Sequence, residues 1–169
     1  MTIAISEARK CTPKETGFSV GCVLVARYPG NETDPVVLST GYSRELEGNT
    51  HAEANAMEKA RRLSQDELHA LFPAATGEIS IDAVFKQTDV YTTLEPCSIR
   101  TSGLPPCADS LIAARIHRCI IGVGEPDDFV DCEGGAKLTD AGIEIVWMEG
   151  MEEVCLTVAR AGRTDIRET

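Results

Sequence analysis

Four side chains from three distant stretches constrain this chain more than any other feature. They are His51 and Glu53 in Asn49-Thr50-His51-Ala52-Glu53, Cys97 directly after Pro96, and Cys107 directly after Pro105-Pro106. One imidazole, one carboxylate and two thiols are the parts of a site that holds zinc and activates water. For them to act together, the fold must bring far-apart segments to one point. Nine residues, 98–106, separate the two cysteines. That spacing alone is weak evidence of a pair; beside His51 and Glu53 it completes a ligand set.

Each member also has a plainer reading. Thr50-His51-Ala52-Glu53 fits a capping box, in which Glu53 would do no more than cap a helix. A histidine in a first helical turn is more often solvated than a ligand. The second half of the pattern shifts the balance. Residues 89–93 read as a strand ended by Leu94-Glu95-Pro96-Cys97, and sites in open α/β sheets collect at the carboxyl ends of strands. Pro96 suits a tight turn or a first helical position. A helical turn opened by Cys97 would set its thiol against free N–H groups and the positive end of the helix dipole, favouring the thiolate. Cys107 is expected to open the next helix. His51, Cys97 and Cys107 would then hold zinc and leave a fourth position for water. Two thiolates and a neutral imidazole cancel the charge of the metal, so the water needs a base. Glu53 is too close to His51 in sequence to share the metal comfortably. It is expected to take the water's proton and pass it to a ring nitrogen of an amidine-like substrate.

The rest of the chain sets bounds. Its 169 residues, 43% hydrophobic and 25% charged, are those of one ordinary globular domain. No apolar run approaches the roughly 18–20 residues of a membrane span, and the first residues show neither the basic nor the apolar region of a secretion signal. A net charge of −11 argues against a polymeric nucleic acid as partner, while local cations still allow an anionic small molecule. Seven cysteines, an odd count, fit a reducing cytoplasm. Cys22 and Cys119 lie in apolar runs and read as small buried hydrophobes; Cys11, Cys132 and Cys155 have no ligand-like neighbours.

Helices are expected over residues 2–11, 49–62, 64–71, 106–114, 136–141 and 149–160, and strands over 20–26, 36–41, 89–93, 118–123 and 143–148. Residues 72–86 are unreadable and are taken as an insertion. A polar tail follows from about residue 162, with the core at about 15–160. A hairpin followed by alternating helices and strands predicts an α/β fold, with a partly parallel sheet covered by helices on both faces.

The stretches Gly17-Phe18-Ser19-Val20-Gly21-Cys22-Val23-Leu24-Val25, Gly48-Asn49-Thr50-His51-Ala52-Glu53 and Tyr91-Thr92-Thr93-Leu94-Glu95-Pro96-Cys97 resemble the cytidine-deaminase superfamily, whose signature is H-x-E…P-C-x-x-C. The longer Pro96-Cys97-Ser98…Pro105-Pro106-Cys107 segment resembles the riboflavin-biosynthesis pyrimidine deaminases. Arg100-Thr101-Ser102-Gly103 and residues 122–130 are most similar to the fungal branch. The resemblance spans roughly residues 15–160. It implies a three-layer α/β/α sandwich around a five-stranded mixed sheet, with zinc on His51, Cys97 and Cys107 and the proton shuttle on Glu53. It also implies hydrolytic removal of the 2-amino group of 2,5-diamino-6-(ribitylamino)pyrimidin-4-one 5'-phosphate, with release of ammonia. Two features depart from the pattern. Ile99 stands where bacterial relatives have a histidine, and the chain has room for neither their reductase domain nor the pseudouridine synthase domain fused to some fungal relatives.

For the phosphate, Arg100 is the leading candidate, with Thr101 and Ser102 beside it; Lys14 and Lys137 are weaker. Asn49 and Glu125 are candidates for the pyrimidine and ribityl groups, with Asp127 and Asp128 close behind. Glu95 is expected to make a structural hydrogen bond. His69 and His117 read as surface or packing residues. A cytidine or deoxycytidylate deaminase acting on free nucleotides is the nearest alternative, although those enzymes use the short cysteine spacing. A zinc-stabilised interaction module without catalysis is the other, and the acid at Glu53 argues against it. A homodimer is expected from the resemblance.

Overall fold

Apolar, β-branched-rich runs form the strands within one or two residues of the expected bounds. The computed structural model describes residues 1–28, 34–100, 103–125 and 133–163. Among them lie strands β1 (Gly21–Ala26), β2 (Val36–Tyr42), β3 (Thr88–Thr92), β4 (Arg118–Ile121) and β5 (Glu144–Trp147). The helices are α1 (Thr2–Ala8), α2 (Ala52–Arg61), α3 (Gln65–Leu71), α4 (Ile81–Phe85), α5 (Cys107–Ala114), α6 (Gly134–Asp140) and α7 (Glu152–Ala159). The sheet runs β2-β1-β3-β4-β5. β1 is antiparallel to both of its neighbours, whereas β3, β4 and β5 run parallel. α5 and α6 supply the crossovers that parallel neighbours require.

Two glycines show how the helices sandwich the sheet. Gly21 pairs with Tyr42, and Cys22 with Gly41. Because successive residues of a strand face opposite sides, Gly21 and Gly41 look out from opposite faces. A Cβ on Gly21 would run into the main chain of Ala4 and Ala8 in α1, and one on Gly41 into that of Ala52 and Ala56 in α2. The two helices therefore lie on opposite sides. α7 joins α1, through a cluster of Ile5, Ala8, Cys155 and Val158. α2, α5 and α6 share the main core, where Ala56, Met57, Leu111 and Leu138 meet Cys22, Leu24, Val90, Cys119 and Ile121 of the strands. This is the three-layer α/β/α sandwich with a five-stranded mixed sheet. Cys22 and Cys119 are fully buried in it and act as small apolar groups.

Several local expectations need correction. Residues 72–86 are no peripheral insertion: Phe72, Ile79, Val84 and Phe85 belong to the main core. Their pattern was unreadable because the segment is held by side-chain bonds. Gln65 Nε2 donates to the Ile79 carbonyl, and the Ile79 N–H donates back to Gln65 Oε1, both at 2.9 Å. Packing also reaches outside residues 15–160, with Ala4 and Ala8 buried at one end and Arg163 at the other. The helix expected from residue 49 starts at Ala52, with His51 at its N-cap in extended conformation.

At the N-terminal end of β3, the fully buried Asp89 carboxylate gathers three partners. Arg118 donates from Nε and Nη2 at 3.0 and 2.8 Å, Arg27 from Nε at 3.2 Å, and His117 Nδ1 lies 3.1 Å away. The other end of the same strand leads to Cys97.

Candidate metal centre and active site

The segment that leaves β3 folds back so that its end meets the start of α5. Cys97 is not in a helix, contrary to the expectation that it opens one. The helix it serves is α5. The N–H of Cys107 donates to Cys97 Sγ at 3.3 Å, and the N–H of Ala108 donates to the Cys97 carbonyl at 3.2 Å. Sulfur and carbonyl together satisfy N–H groups that the first turn of a helix leaves unpaired, so the thiol does face a helix N-terminus, though not its own.

His51 reaches the same point from α2. Its Nδ1 lies 3.5 Å from Cys97 Sγ and 3.5 Å from Cys107 Sγ, and the three ligand atoms lie within 4.8 Å of one another. A tetrahedral zinc with ordinary Zn–S and Zn–N bonds sets N···S at about 3.5–3.6 Å. The donor set and its spacing thus fit zinc. The charge state fits as well. Hydrogen bonds from the Cys107 thiol and His51 outweigh burial and bring the Cys97 thiol down to about 4. His51 is pushed up chiefly by Cys97, and Cys107 is pushed well up by its hydrogen bond to Cys97 and by burial. The thiolate is the form of cysteine that holds a cation, and a bound cation displaces the protons of its ligands.

Glu53 lies in the first turn of α2 and is 3% exposed. The capping box does not form. Thr50 Oγ1 instead donates to the Leu46 carbonyl at 3.2 Å and accepts from Asn55 Nδ2 at 3.0 Å. Glu53 is thereby free to turn inward, where its Oε1 lies 3.3 Å from Thr92 Oγ1. Burial, followed by the Cys97 charge, raises its pKa, as suits a group that must both accept and release a proton near neutrality.

His51, Glu53 and Cys97 line a cavity of about 260 Å³ with Thr16, Gly17, Phe18, Arg44, Asn49, Leu94, Glu95, Arg100 and Glu125, among others. Asn49, Arg100 and Glu125 are thus placed at the cavity. The Asn49 carbonyl accepts from Arg100 Nη2 at 2.6 Å, and Arg100 Nε is buried with no hydrogen-bond partner among the described residues. Thr101 and Ser102 lie outside the described residues, as do Asp127 and Asp128. Lys14 lines a neighbouring polar cavity, and Lys137 is paired with Asp109 at 2.5 Å; neither lines the cavity of Glu53. Glu95 makes the expected structural bond, its Oε1 accepting from the Gly135 N–H at 2.8 Å. Residues 72–86 contribute nothing to the cavity lining. The sequence reading missed Thr92, Phe18 and Arg44. Thr92 is one of three polar residues, with Thr88 and Asp89, in the five-residue β3, and nothing in the sequence set it apart. Arg44 carried no signal.

Comparison with known proteins agrees with this geometry. A family model described as the cytidine and deoxycytidylate deaminase zinc-binding region matches residues 1–123. The diaminohydroxyphosphoribosylamino-pyrimidine deaminase of Schizosaccharomyces pombe is 35% identical over 96% of this chain, which spans about a third (34%) of that protein's length. The Rib2 deaminase of Aspergillus oryzae superimposes with a TM-score of 0.74 at 34% identity, covering 96% of this chain and 90% of that one. A second structure of that enzyme, in complex with DARIPP, gives 0.72 at 33% identity, covering 97% and 90%. A match over most of the chain, with a His-Cys-Cys cluster set beside a buried glutamate, places this chain in the cytidine and deoxycytidylate deaminase zinc-binding family.

Proposed function

We propose that the chain catalyses the hydrolytic deamination of 2,5-diamino-6-(ribitylamino)pyrimidin-4-one 5'-phosphate at its 2-amino group, as a single zinc-dependent unit of riboflavin biosynthesis. The observation that carries this reading is the meeting of His51, Cys97 and Cys107 within 4.8 Å, two of which, His51 and Cys97, line a cavity that the buried Glu53 also lines. The similarity to the Rib2 deaminase and the long inter-cysteine segment support the choice of substrate.

Zinc held by His51, Cys97 and Cys107 supplies a Lewis acid that makes water acidic enough to react near neutral pH. Glu53 accepts a proton from the attacking water and delivers it to the ring nitrogen beside the reacting carbon. The same carboxylate then takes the remaining proton from the newly attached oxygen and passes it to the exocyclic nitrogen. The carbon–nitrogen bond then breaks, ammonia leaves, and the ring keeps the oxygen as a carbonyl. Thr92 Oγ1, which lies 2.9 Å from the Leu94 carbonyl, stands 3.3 Å from one carboxylate oxygen. Arg100, a cation in the cavity lining, is suited to the phosphate, and Asn49 and Glu125 to the polar edge of the substrate. Thr101 and Ser102 complete the proposed binding segment by their place in the sequence.

The reading includes a reducing, cytoplasmic setting, supported by six free cysteines among the described residues. It also includes a homodimer, for which exposed Ile3, Val37 and Trp147 leave apolar surface; sedimentation of the purified chain tests it. No helix among the described residues is long and apolar enough to cross a membrane. The deciding assay incubates the zinc-loaded chain with the ribityl phosphate and, in parallel, with cytidine and deoxycytidine monophosphates. Ammonia release and an amino-to-oxo mass change are expected with the first alone. Release from the nucleotides alone would replace this reading with a nucleotide deaminase.

A further inference from the structure

The loop that leads into His51 is closed by a side chain that takes no part in the chemistry. Asn55 stands one turn beyond His51 in α2, its N–H donating to the His51 carbonyl at 3.0 Å. It is 1% exposed and does not line the cavity. Asparagine is a poorer helix former than alanine, since its amide competes for backbone partners. Burying that amide also costs solvation unless its polar atoms are met. A residue unfavourable on both counts needs partners, and the two ends of residues 42–50 provide them. Asn55 Nδ2 donates to the Tyr42 carbonyl, where β2 ends, at 2.8 Å, and to Thr50 Oγ1, next to His51, at 3.0 Å. A carbonyl only accepts, so the side of the amide turned to Tyr42 is its nitrogen.

The loop between these two contacts is sharply bent. Arg44 lies in the left-handed region at φ 63, which side chains disfavour, and its N–H donates to the Thr50 carbonyl at 2.7 Å. Thr50 Oγ1, while accepting from Asn55, donates to the Leu46 carbonyl at 3.2 Å. Glu45 adds a second tie to α2, its Oε2 accepting from the Tyr42 N–H at 3.3 Å and its Oε1 from Lys59 Nζ at 2.5 Å. Tyr42, Thr50 and α2 thus meet at one amide. His51 follows in extended conformation, at φ −95 and ψ 154. Its place is set by the residue before it and the helix after it, and Asn55 joins the two.

We infer that Asn55 is a positioning residue for the metal centre: through Thr50 it fixes the height at which the His51 imidazole meets Cys97 and Cys107. The inference rests on the reading of those three residues as zinc ligands, and not on the identity of the substrate. A ligand already held in place loses less freedom when the ion binds, so affinity depends on the groups behind it. Without the amide, residues 43–50 sample other shapes, and part of the binding energy of zinc goes into bringing the imidazole back.

The test starts from the zinc-loaded full chain and measures the zinc Kd by competition with a chromophoric chelator, at a temperature where circular dichroism shows each variant folded. Tm and hydrogen exchange of the amides of residues 43–51 are measured beside it. Asn55→Ala is expected to raise the zinc Kd about tenfold and to speed exchange along the loop. Asn55→Asp, which keeps the shape but turns an acceptor towards the Tyr42 carbonyl, does not rescue it. Thr50→Val, which removes one of the two contacts, raises Kd about threefold. The loss in Asn55→Ala/Thr50→Val falls short of the product of the single losses, because both remove the same bond. An asparagine that only stabilises the fold would lower Tm and leave Kd among folded molecules unchanged. That result in Asn55→Ala overturns the inference, as does a double variant whose losses simply multiply. If Asn55→Ala does not fold, Thr50→Val decides, and an unchanged Kd there overturns the inference. Wild-type protein that binds no zinc overturns the reading of the metal centre and this inference with it. A zinc-binding wild type with indifferent variants overturns the inference alone.

Discussion

At the scale of single residues, Glu53 and Arg100 separate chemistry from binding. Glu53 touches Thr92 and sits in the cavity without belonging to the donor cluster. Glu53→Gln is therefore expected to retain stoichiometric zinc and lose about three orders of magnitude in kcat; metal analysis beside single-turnover kinetics checks it. Arg100→Ala should leave kcat nearly intact and raise KM about tenfold or more, the worth of a charge-assisted hydrogen bond, in a steady-state assay. The three cluster residues were legible in the sequence because a metal restricts its ligands to few residue types, and with Glu53 they stood in a recognisable order. Phe18 and Arg44 were not legible. An aromatic and a cation enter a cavity wall by tertiary placement, and no spacing announces it. The capping-box pattern at Thr50 and Glu53 was misleading for a local reason: Asn55 takes the threonine hydroxyl, and the glutamate is drawn inward.

At the scale of elements, β3 ends in the loop that carries Cys97, and its start is fixed by Asp89. Burial pushes the Asp89 carboxyl up, but hydrogen bonds from Arg118 and His117, the Arg118 charge and a hydrogen bond from Arg27 together hold it below the usual carboxylate range. A carboxyl lowered in the folded state adds stability above its unfolded pKa of about 3.9, and that stability is lost as the pH falls through the folded value. Asp89→Asn is expected to cost about 3 kcal/mol at neutral pH, since it leaves cations around a neutral amide. The Tm gap to wild type should stay level from pH 8 to about 5 and close below about 4, which thermal melts across that range will show. The strands and most helices were readable from periodicity. Residues 72–86 were not, because their short helix is only five residues long and its flanks are held by Gln65 rather than by a repeating pattern.

At the scale of the molecule, the cluster unites three parts of the chain: His51 at the start of α2, Cys97 after β3, and Cys107 at the start of α5. A bound ion cross-links them in the folded state only. Removing zinc with a chelator should therefore lower Tm by about 10 °C where free metal stands about a thousandfold above its Kd; re-addition restores it. The acidic net charge of −11 adds a second expectation already implicit in the composition, that polymeric nucleic acid does not compete for the cavity. Sheet order and layering followed from the alternation of element types, since parallel neighbours need crossovers. The thickness of the layers did not follow, because it depends on which glycines face a helix.

Gly41 is the place where that thickness matters most. The carbonyl it admits so closely belongs to Ala52, the residue between His51 and Glu53. A missing methyl group thus sets the depth at which imidazole and carboxylate sit beneath the rim. Any side chain at that position, however inert, would lift both reactive groups together, so the reach of the chemistry is governed by a strand residue that takes no part in it.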